Sequence, residues 1–152
     1  MKSNNELLVT RVLDANCKIV WDAWTKPLQI AQWFAPGVVM DVREMDVRPG
    51  GHFRFAEPGS DEKGEYTGTY ITVKPLQEIS FNVIDFSQSN DVAGIRAGFK
   101  VEFVQLGKQT TMSLTAIPRE DSYDKATYDT WIACFDRLAI VVNNGNQAGV
   151  AH

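Results

Sequence analysis

The chain has 152 residues, of which 44% are hydrophobic and 22% charged, the balance of an ordinary globular domain. Its formal net charge of -4 argues against nucleic-acid binding, because phosphate neutralisation needs clustered Lys and Arg and the basic residues here are scattered singly. Residues 1–8 lack an apolar signal core, and no apolar run approaches the ~20 residues that cross a bilayer. We therefore expect a single domain over residues 1–145, a flexible tail over 146–152, a cytoplasmic location and no membrane contact.

The sequence contains no motif that binds a metal or a cofactor. Cys17 and Cys134 lack metal-type spacing, which favours two reduced thiols, with a disulfide between them as the alternative. HExxH, CxxC, GxSxG and phosphate-binding glycine loops are all missing from the sequence. The carboxylates show no paired spacing typical of an acid/base couple. We expect neither a metal nor a cofactor.

The first 117 residues predict one strand, two short helices and six more strands. A strand is expected over 7–13, Asn16 can cap a helix over 17–24, and Pro27 favours a second helix start. Turn residues separate the later strands, which are expected over 38–47, 52–56, 65–73, 79–86, 95–104 and 110–117. The short connections between them imply antiparallel neighbours.

A long helix is predicted after the last strand. We expect Asp121 or Ser122 to cap it, residues 123–143 to form it, and Asn144 with Gly145 to end it in a left-handed cap. Apolar residues recur at three- and four-residue steps along it. This stripe comprises Tyr128, Trp131, Ile132, Phe135, Leu138, Ala139 and Val142. We expect this apolar stripe to pack against the sheet.

Five segments carry a family resemblance. They are IVWDAWT at 19–25, QWF at 32–34, RPGGHFRF at 48–55, GEYTG at 64–68 and CFDRL at 134–138. Together they resemble the branch of the START-like, Bet v 1-like (SRPBCC) superfamily named for activators of the heat-shock protein 90 ATPase. The resemblance implies an α+β helix-grip fold: a seven-stranded curved antiparallel sheet, two short helices after strand 1, and a long C-terminal helix packed across the sheet. The co-chaperones of this branch carry a separate chaperone-binding domain not found here, and the residues give a chaperone partner no support.

A sheet curled around a long helix leaves a space of the kind that binds small molecules. For any single aromatic residue, plain core packing is the better interpretation, whereas for the set we favour a cavity lining. The predicted ligand-binding set comprises Trp33, Phe53, Phe55, Tyr66, Tyr70, Phe81, Phe99, Val101, Phe103, Met112, Leu114, Trp131 and Phe135.

The strand after the Pro49-Gly50-Gly51 turn decides between binding and catalysis. Phe53 and Phe55 share one face, which places His52 and Arg54 on the other, towards solvent. With the opposite register, His52 would be an internal acid/base group. We expect the outward orientation, and we expect the two glycines to serve backbone conformation.

Three functions from different classes remain open. The leading hypothesis is a module that binds an apolar or aromatic small molecule between the sheet and the C-terminal helix. The second is an enzyme that acts on a polyketide-like or aromatic ligand in the same cavity, without an identifiable catalytic set. The third is protein interaction, either chaperone assistance or homodimerisation through exposed aromatics near Trp33 and Phe34.

Overall fold

The computed structural model describes residues 7–34, 39–56, 58, 65–85, 95–117 and 125–150. In chain order the elements are β1 (Leu7–Leu13), α1 (Cys17–Thr25), α2 (Pro27–Trp33), β2 (Asp41–Met45), β3 (His52–Ala56), β4 (Glu65–Lys74), β5 (Glu78–Asp85), β6 (Ile95–Leu106), β7 (Gln109–Ile117) and α3 (Lys125–Val150). The strands form one curved antiparallel sheet in the order β1-β7-β6-β5-β4-β3-β2. The α+β helix-grip fold is confirmed.

Both short helices begin where the sequence predicts. The side-chain oxygen of Asn16 accepts a hydrogen bond from the backbone N–H of Ile19 at 3.0 Å and thereby caps α1. Pro27 occupies the first turn of α2, where its missing N–H is not needed, and Lys26 before it makes no side-chain cap. Both helices bury apolar side chains against the core, among them Val20, Trp24 and Trp33.

The stripe of α3 packs against the same core, with two corrections. Phe135, Leu138 and Val142 are buried, but Tyr128 is 41% exposed, which suits a side chain whose hydroxyl favours water. The predicted end at residue 143 is wrong, because the helix continues through Gly145 to Val150. A glycine inside a helix costs only ~1 kcal/mol, which does not force a stop. Residues 121–122, the predicted cap, and residues 151–152 of the tail lie outside the described part.

The strands agree with the prediction except at their ends. The second strand was predicted too long, because β2 ends at Met45 and the following residues turn towards Pro49. Residue 38, its predicted start, is outside the described part. The sixth strand was predicted too short, since β6 runs on to Leu106 and pairs there with Gln109 across a tight turn. Pairing with a neighbour, which local composition does not reveal, sets these ends.

The turn between β2 and β3 needs its two glycines for different reasons. Gly50 has a φ of +86°, a left-handed conformation that other residues rarely adopt. Gly51 has no positive φ, but a side-chain methyl there would overlap the carbonyl oxygen of Asp46. The backbone of Tyr70 also bonds to both glycines, accepting from Gly50 N and donating to Gly51 O at 2.8 Å each. The turn therefore fixes where β4 meets β3.

Gly51→Ala should lower the free energy of unfolding by about 3 kcal/mol, because the new methyl displaces the backbone at Asp46. Gly50→Ala is the matched control, with open space around it and an expected loss of about 1 kcal/mol from its φ alone. Urea unfolding of both variants measures the difference. Equal losses would mean that the overlap at Gly51 is relieved without strain.

Trp131→Ala should destabilise the protein by about 3 kcal/mol or more, since this side chain on α3 is only 8% exposed. Ile140→Ala on the same helix, where the side chain is 54% exposed, should cost less than about 1 kcal/mol. Urea unfolding again provides the measurement. A loss below about 1 kcal/mol for Trp131→Ala would show that α3 does not bury this ring.

Candidate functional site

A small apolar cavity lies between the concave face of the sheet and the two short helices. Its lining comprises Trp24, Ile30, Phe34, Phe53, Phe55, Tyr70 and Phe81. Only about 10 Å³ of it is open to the centre of a water-sized sphere, which is room for about one water molecule. The space expected beneath the helices is therefore almost filled by aromatic rings.

Phe53 forms the floor of the cavity on β3. Its ring stacks on Phe55 with centroids 5.0 Å apart, and it lies 5.3 Å from Tyr70 and 6.0 Å from Phe81. Gly68 pairs with Phe53 across β3 and β4, and a methyl group there would overlap the Phe53 ring. The missing side chain of Gly68 allows Phe53 to lie flat against the sheet.

Phe34 closes the cavity at the end of α2. Its half-buried ring meets Phe55 at 5.1 Å, Tyr66 at 5.8 Å and Trp131 at 6.3 Å, each time edge to face. The thiol of Cys134 donates to the backbone oxygen of Phe34 at 2.9 Å. Burial raises the pKa of Cys134 to about 12, and the thiol thus keeps its proton for this bond. Backbone and ring of Phe34 are consequently held by separate contacts.

The two buried tryptophans near the cavity have their polar groups satisfied. Trp24 donates its indole N–H to Met112 Sδ at 3.2 Å. Trp33 donates its indole N–H to the backbone oxygen of Ala23 at 2.9 Å. Both rings are thereby fixed in orientation and present only apolar surface to their surroundings.

Tyr70 contributes a polar side chain to the lining of the cavity. The side chain is 4% exposed. Burial, with a smaller effect from the negative charge of Asp46, raises the pKa of Tyr70 above its ordinary value. The phenol therefore stays protonated and neutral near pH 7.

The predicted ligand-binding residues are largely buried but do not all meet the cavity. Tyr66 differs from the rest, being 40% exposed. Phe53, Phe55, Tyr70 and Phe81 line the cavity. The remaining buried residues pack elsewhere in the core: Trp33, Phe99, Val101, Phe103, Met112, Leu114, Trp131 and Phe135. Their roles in binding stay predictions.

Sequence reasoning missed three lining residues, all from the helices. Trp24 is a buried residue of α1, but its spacing in the sequence does not indicate a cavity. Ile30 and Phe34 belong to α2, a helix of 7 residues that is too short to show a reliable periodicity. The proposed exposed surface at Trp33 is wrong, because Trp33 is 0% exposed. Because α2 ends at Trp33, the side chain of Trp33 lies in the core and that of Phe34, the next residue, lies at the cavity.

His52 faces away from the cavity, as predicted. Along β3 the exposed His52 and Arg54 alternate with the buried Phe53 and Phe55. The imidazole Nδ1 of His52 lies 3.2 Å from the hydroxyl oxygen of Thr69 on the outer face. An acid/base group there cannot reach a molecule held on the inner face.

A second, larger depression lies outside the core, between β1 and α3. It has a volume of about 420 Å³, is open to solvent, and includes Arg11 and Asn143 in its lining. Arg11 is bound to Asp136 at 2.7 Å. Within the described ranges no three His, Cys, Asp or Glu side chains are grouped as metal ligands, and none of the helices is long and apolar enough to span a membrane.

Comparison with known proteins identifies the family. The family model described as "Activator of Hsp90 ATPase homolog 1-like protein" matches residues 14–143. The chain belongs to this family. This confirms the resemblance drawn from the sequence segments. No curated protein matches significantly.

Solved structures share the fold of this Hsp90 ATPase activator-like chain. Protein CV1439 from Chromobacterium violaceum is 24% identical, with a TM-score of 0.74, covering 91% of this chain and 97% of that one. The Aha1 dimer from Colwellia psychrerythraea is 11% identical, with a TM-score of 0.72 and coverages of 90% and 95%. DynU16, from the dynemicin biosynthetic locus, is 16% identical, with a TM-score of 0.69, covering 95% of this chain and 49% of that one. At these identities the likeness establishes the fold alone.

His52→Gln should change neither the folding equilibrium constant nor the affinity for an apolar probe such as tetralin by more than about twofold. Such a change corresponds to ~0.4 kcal/mol. The reason is that the imidazole lies on the outer face of the sheet. Titration followed by NMR measures probe affinity. A loss of ~100-fold in binding, or in any turnover found by substrate screening, would place His52 in the site.

Proposed function

We propose that this chain is a cytoplasmic protein that binds an apolar or aromatic small molecule between the sheet and the helices. The observation that carries this proposal is the ring-lined cavity, where side chains from α1, α2, β3, β4 and β5 converge on one point. Apolar cavities with few polar groups are the usual small-molecule sites of such folds. Membership in the family supports the proposal without identifying the ligand.

A ligand requires the cavity to open, since about 10 Å³ admits nothing larger than water. Phe34 is the lining ring best suited to move. It is half-buried, whereas the rings of Phe53, Phe55 and Phe81 are each less than 5% exposed. Its backbone is held by Cys134, and its ring can therefore leave without the end of α2 unfolding. We propose that the ligand takes the place of the Phe34 ring.

The energetics favour an aromatic ligand in that position. Phe34 makes edge-to-face contacts with Phe55, Tyr66 and Trp131, and such ring pairs contribute about 0.5–1.5 kcal/mol beyond their buried area. A planar ring can restore these contacts, and its burial contributes about 25 cal/mol per Å² of apolar area. The measured affinity is reduced by the fraction of molecules in which Phe34 still occupies the cavity.

Native mass spectrometry of protein purified from its own host tests the proposal. A retained mass of a small apolar molecule, lost on unfolding, is the expected result. The same spectrum reports the oligomeric state, and a homodimer is a proposal supported by the fold shared with the dimeric Colwellia protein. Protein that is free of ligand from its host and that fails to bind any apolar probe would contradict the binding function.

Phe34→Ala should bind tetralin, an aromatic hydrocarbon, at least about tenfold more tightly than the natural protein, because no ring has to be displaced. Phe34→Leu, a smaller change, should give an intermediate gain and serves if the alanine variant folds poorly. Leu28→Ala, at an 83% exposed position of the same helix, is the matched control and should change nothing. Calorimetric or NMR titration measures the affinities.

The opposite result is equally informative. If tetralin binds the natural protein and Phe34→Ala equally well, Phe34 does not close the site. If tetralin binds none of the three proteins, the natural one, Phe34→Ala and Phe34→Leu, the cavity does not accept aromatic molecules.

A further inference from the structure

One polar side chain at the cavity has no hydrogen-bond partner among the described residues. Tyr70 lines the cavity and is 4% exposed, and only its backbone groups take part in hydrogen bonds. No fully buried polar side-chain atom of the described residues lacks a partner, and the Tyr70 hydroxyl oxygen must therefore border space that a water-sized sphere can reach. A phenol in this position has both a donor and an acceptor to offer.

The other lining side chains offer no polar group. Trp24 has given its N–H to Met112 Sδ, and the remaining walls are hydrocarbon from Ile30 and phenylalanine rings. Any directional contact between the wall side chains and a bound molecule therefore falls to Tyr70. A single unused polar group in an apolar pocket is the arrangement that sets ligand orientation and selectivity.

We propose that the Tyr70 hydroxyl donates a hydrogen bond to a neutral acceptor oxygen on the ligand, and that the ligand is an aromatic molecule carrying a carbonyl or ether group. This inference rests on the proposed binding function. The hydrogen bond would favour a ligand that carries an acceptor oxygen over a hydrocarbon of the same shape. The apolar walls cannot make this distinction, because burial alone would favour the hydrocarbon. The structure assigns Tyr70 the role of selecting between molecules of the same shape.

The electrostatics of the wall favour a neutral acceptor. Burial keeps the pKa of Tyr70 above its ordinary value, and the hydroxyl remains a donor throughout the physiological range. The carboxylate of Asp46 acts on Tyr70 in the same direction and disfavours a second negative charge nearby, although its ion pair with Arg48 at 2.7 Å weakens this effect. An anionic ligand would also lose its hydration inside apolar walls.

The test uses two probes of nearly identical shape. Tetralin is a fused aromatic hydrocarbon, and 1-tetralone differs from it by a carbonyl in place of one methylene group. Each is titrated by NMR or calorimetry into the natural protein, Phe34→Ala, Tyr70→Phe and the double variant Phe34→Ala with Tyr70→Phe. Comparing each probe with itself across the variants removes the difference in their water solubility.

Loss of the hydroxyl should weaken 1-tetralone about fivefold and leave tetralin within twofold, because only the ketone loses a hydrogen bond. Tyr128→Phe is the matched control, the same change at a 41% exposed residue of α3 outside the cavity lining, and should alter neither probe selectively. Equal effects on both probes in Tyr70→Phe would overturn the inference while leaving the binding function intact. If neither probe binds any of the proteins, the binding function fails and the inference falls with it.

A second measurement needs no ligand. Removing a hydroxyl that has no protein partner should leave the melting temperature of Tyr70→Phe unchanged or slightly raised. A fall of about 3 °C or more would show that the hydroxyl is bound within the protein, since for a chain of this size each lost hydrogen bond of typical strength lowers Tm by ~2–4 °C. That result would also overturn the inference.

Discussion

The position of Trp24 constrains every layer of this protein. The helices cover one face of a curved sheet, and the gap between them has to be filled to the density of a solid core. The indole ring of Trp24 lies in that gap within 6.4 Å of rings from both other helices and from two strands. These neighbours are Trp33, Phe81, Phe103 and Phe135. Its hydrogen bond to Met112 adds a third strand and fixes the ring in one orientation.

In the proposed binding function, stability and binding compete for the space that the aromatic rings fill. Each ring that closes the cavity contributes contacts to the folded state, and each has to be displaced before a ligand can enter. The cost is smallest for the ring with the least burial, which among the phenylalanines of the lining is Phe34. Phe34 stands at the end of α2, and its ring lies 6.0 Å from that of Trp33, whose indole N–H is held by the backbone oxygen of Ala23. The proposed site is therefore closed when empty without a separate lid.

The sequence predicted the sheet well because two-residue alternation and turn chemistry are local signals. Phe53 and Phe55 point inward and His52 outward because the glycine turn pins the start of β3. Two properties could not be predicted in this way. The size of the cavity depends on how rings from distant elements interlock, and the stop signal at Asn144 and Gly145 is too weak to predict where α3 ends. Periodicity shows which face is apolar, but it does not show whether that face encloses space.

The polar groups of the interior divide into two kinds, and this division determines where selectivity can arise. The indole N–H groups of Trp24 and Trp33 are bound to protein acceptors, and they hold helices and strands together. The hydroxyl of Tyr70 is bound to none of the described residues, although the backbone of Tyr70 is anchored to the turn at Gly50 and Gly51. Because the backbone of Tyr70 is already fixed, a hydrogen bond from its hydroxyl to a ligand would lose little conformational entropy on binding. Ring packing of this type can be shared by proteins that bind different molecules, and a change at one such hydroxyl alters the ligand without altering the fold.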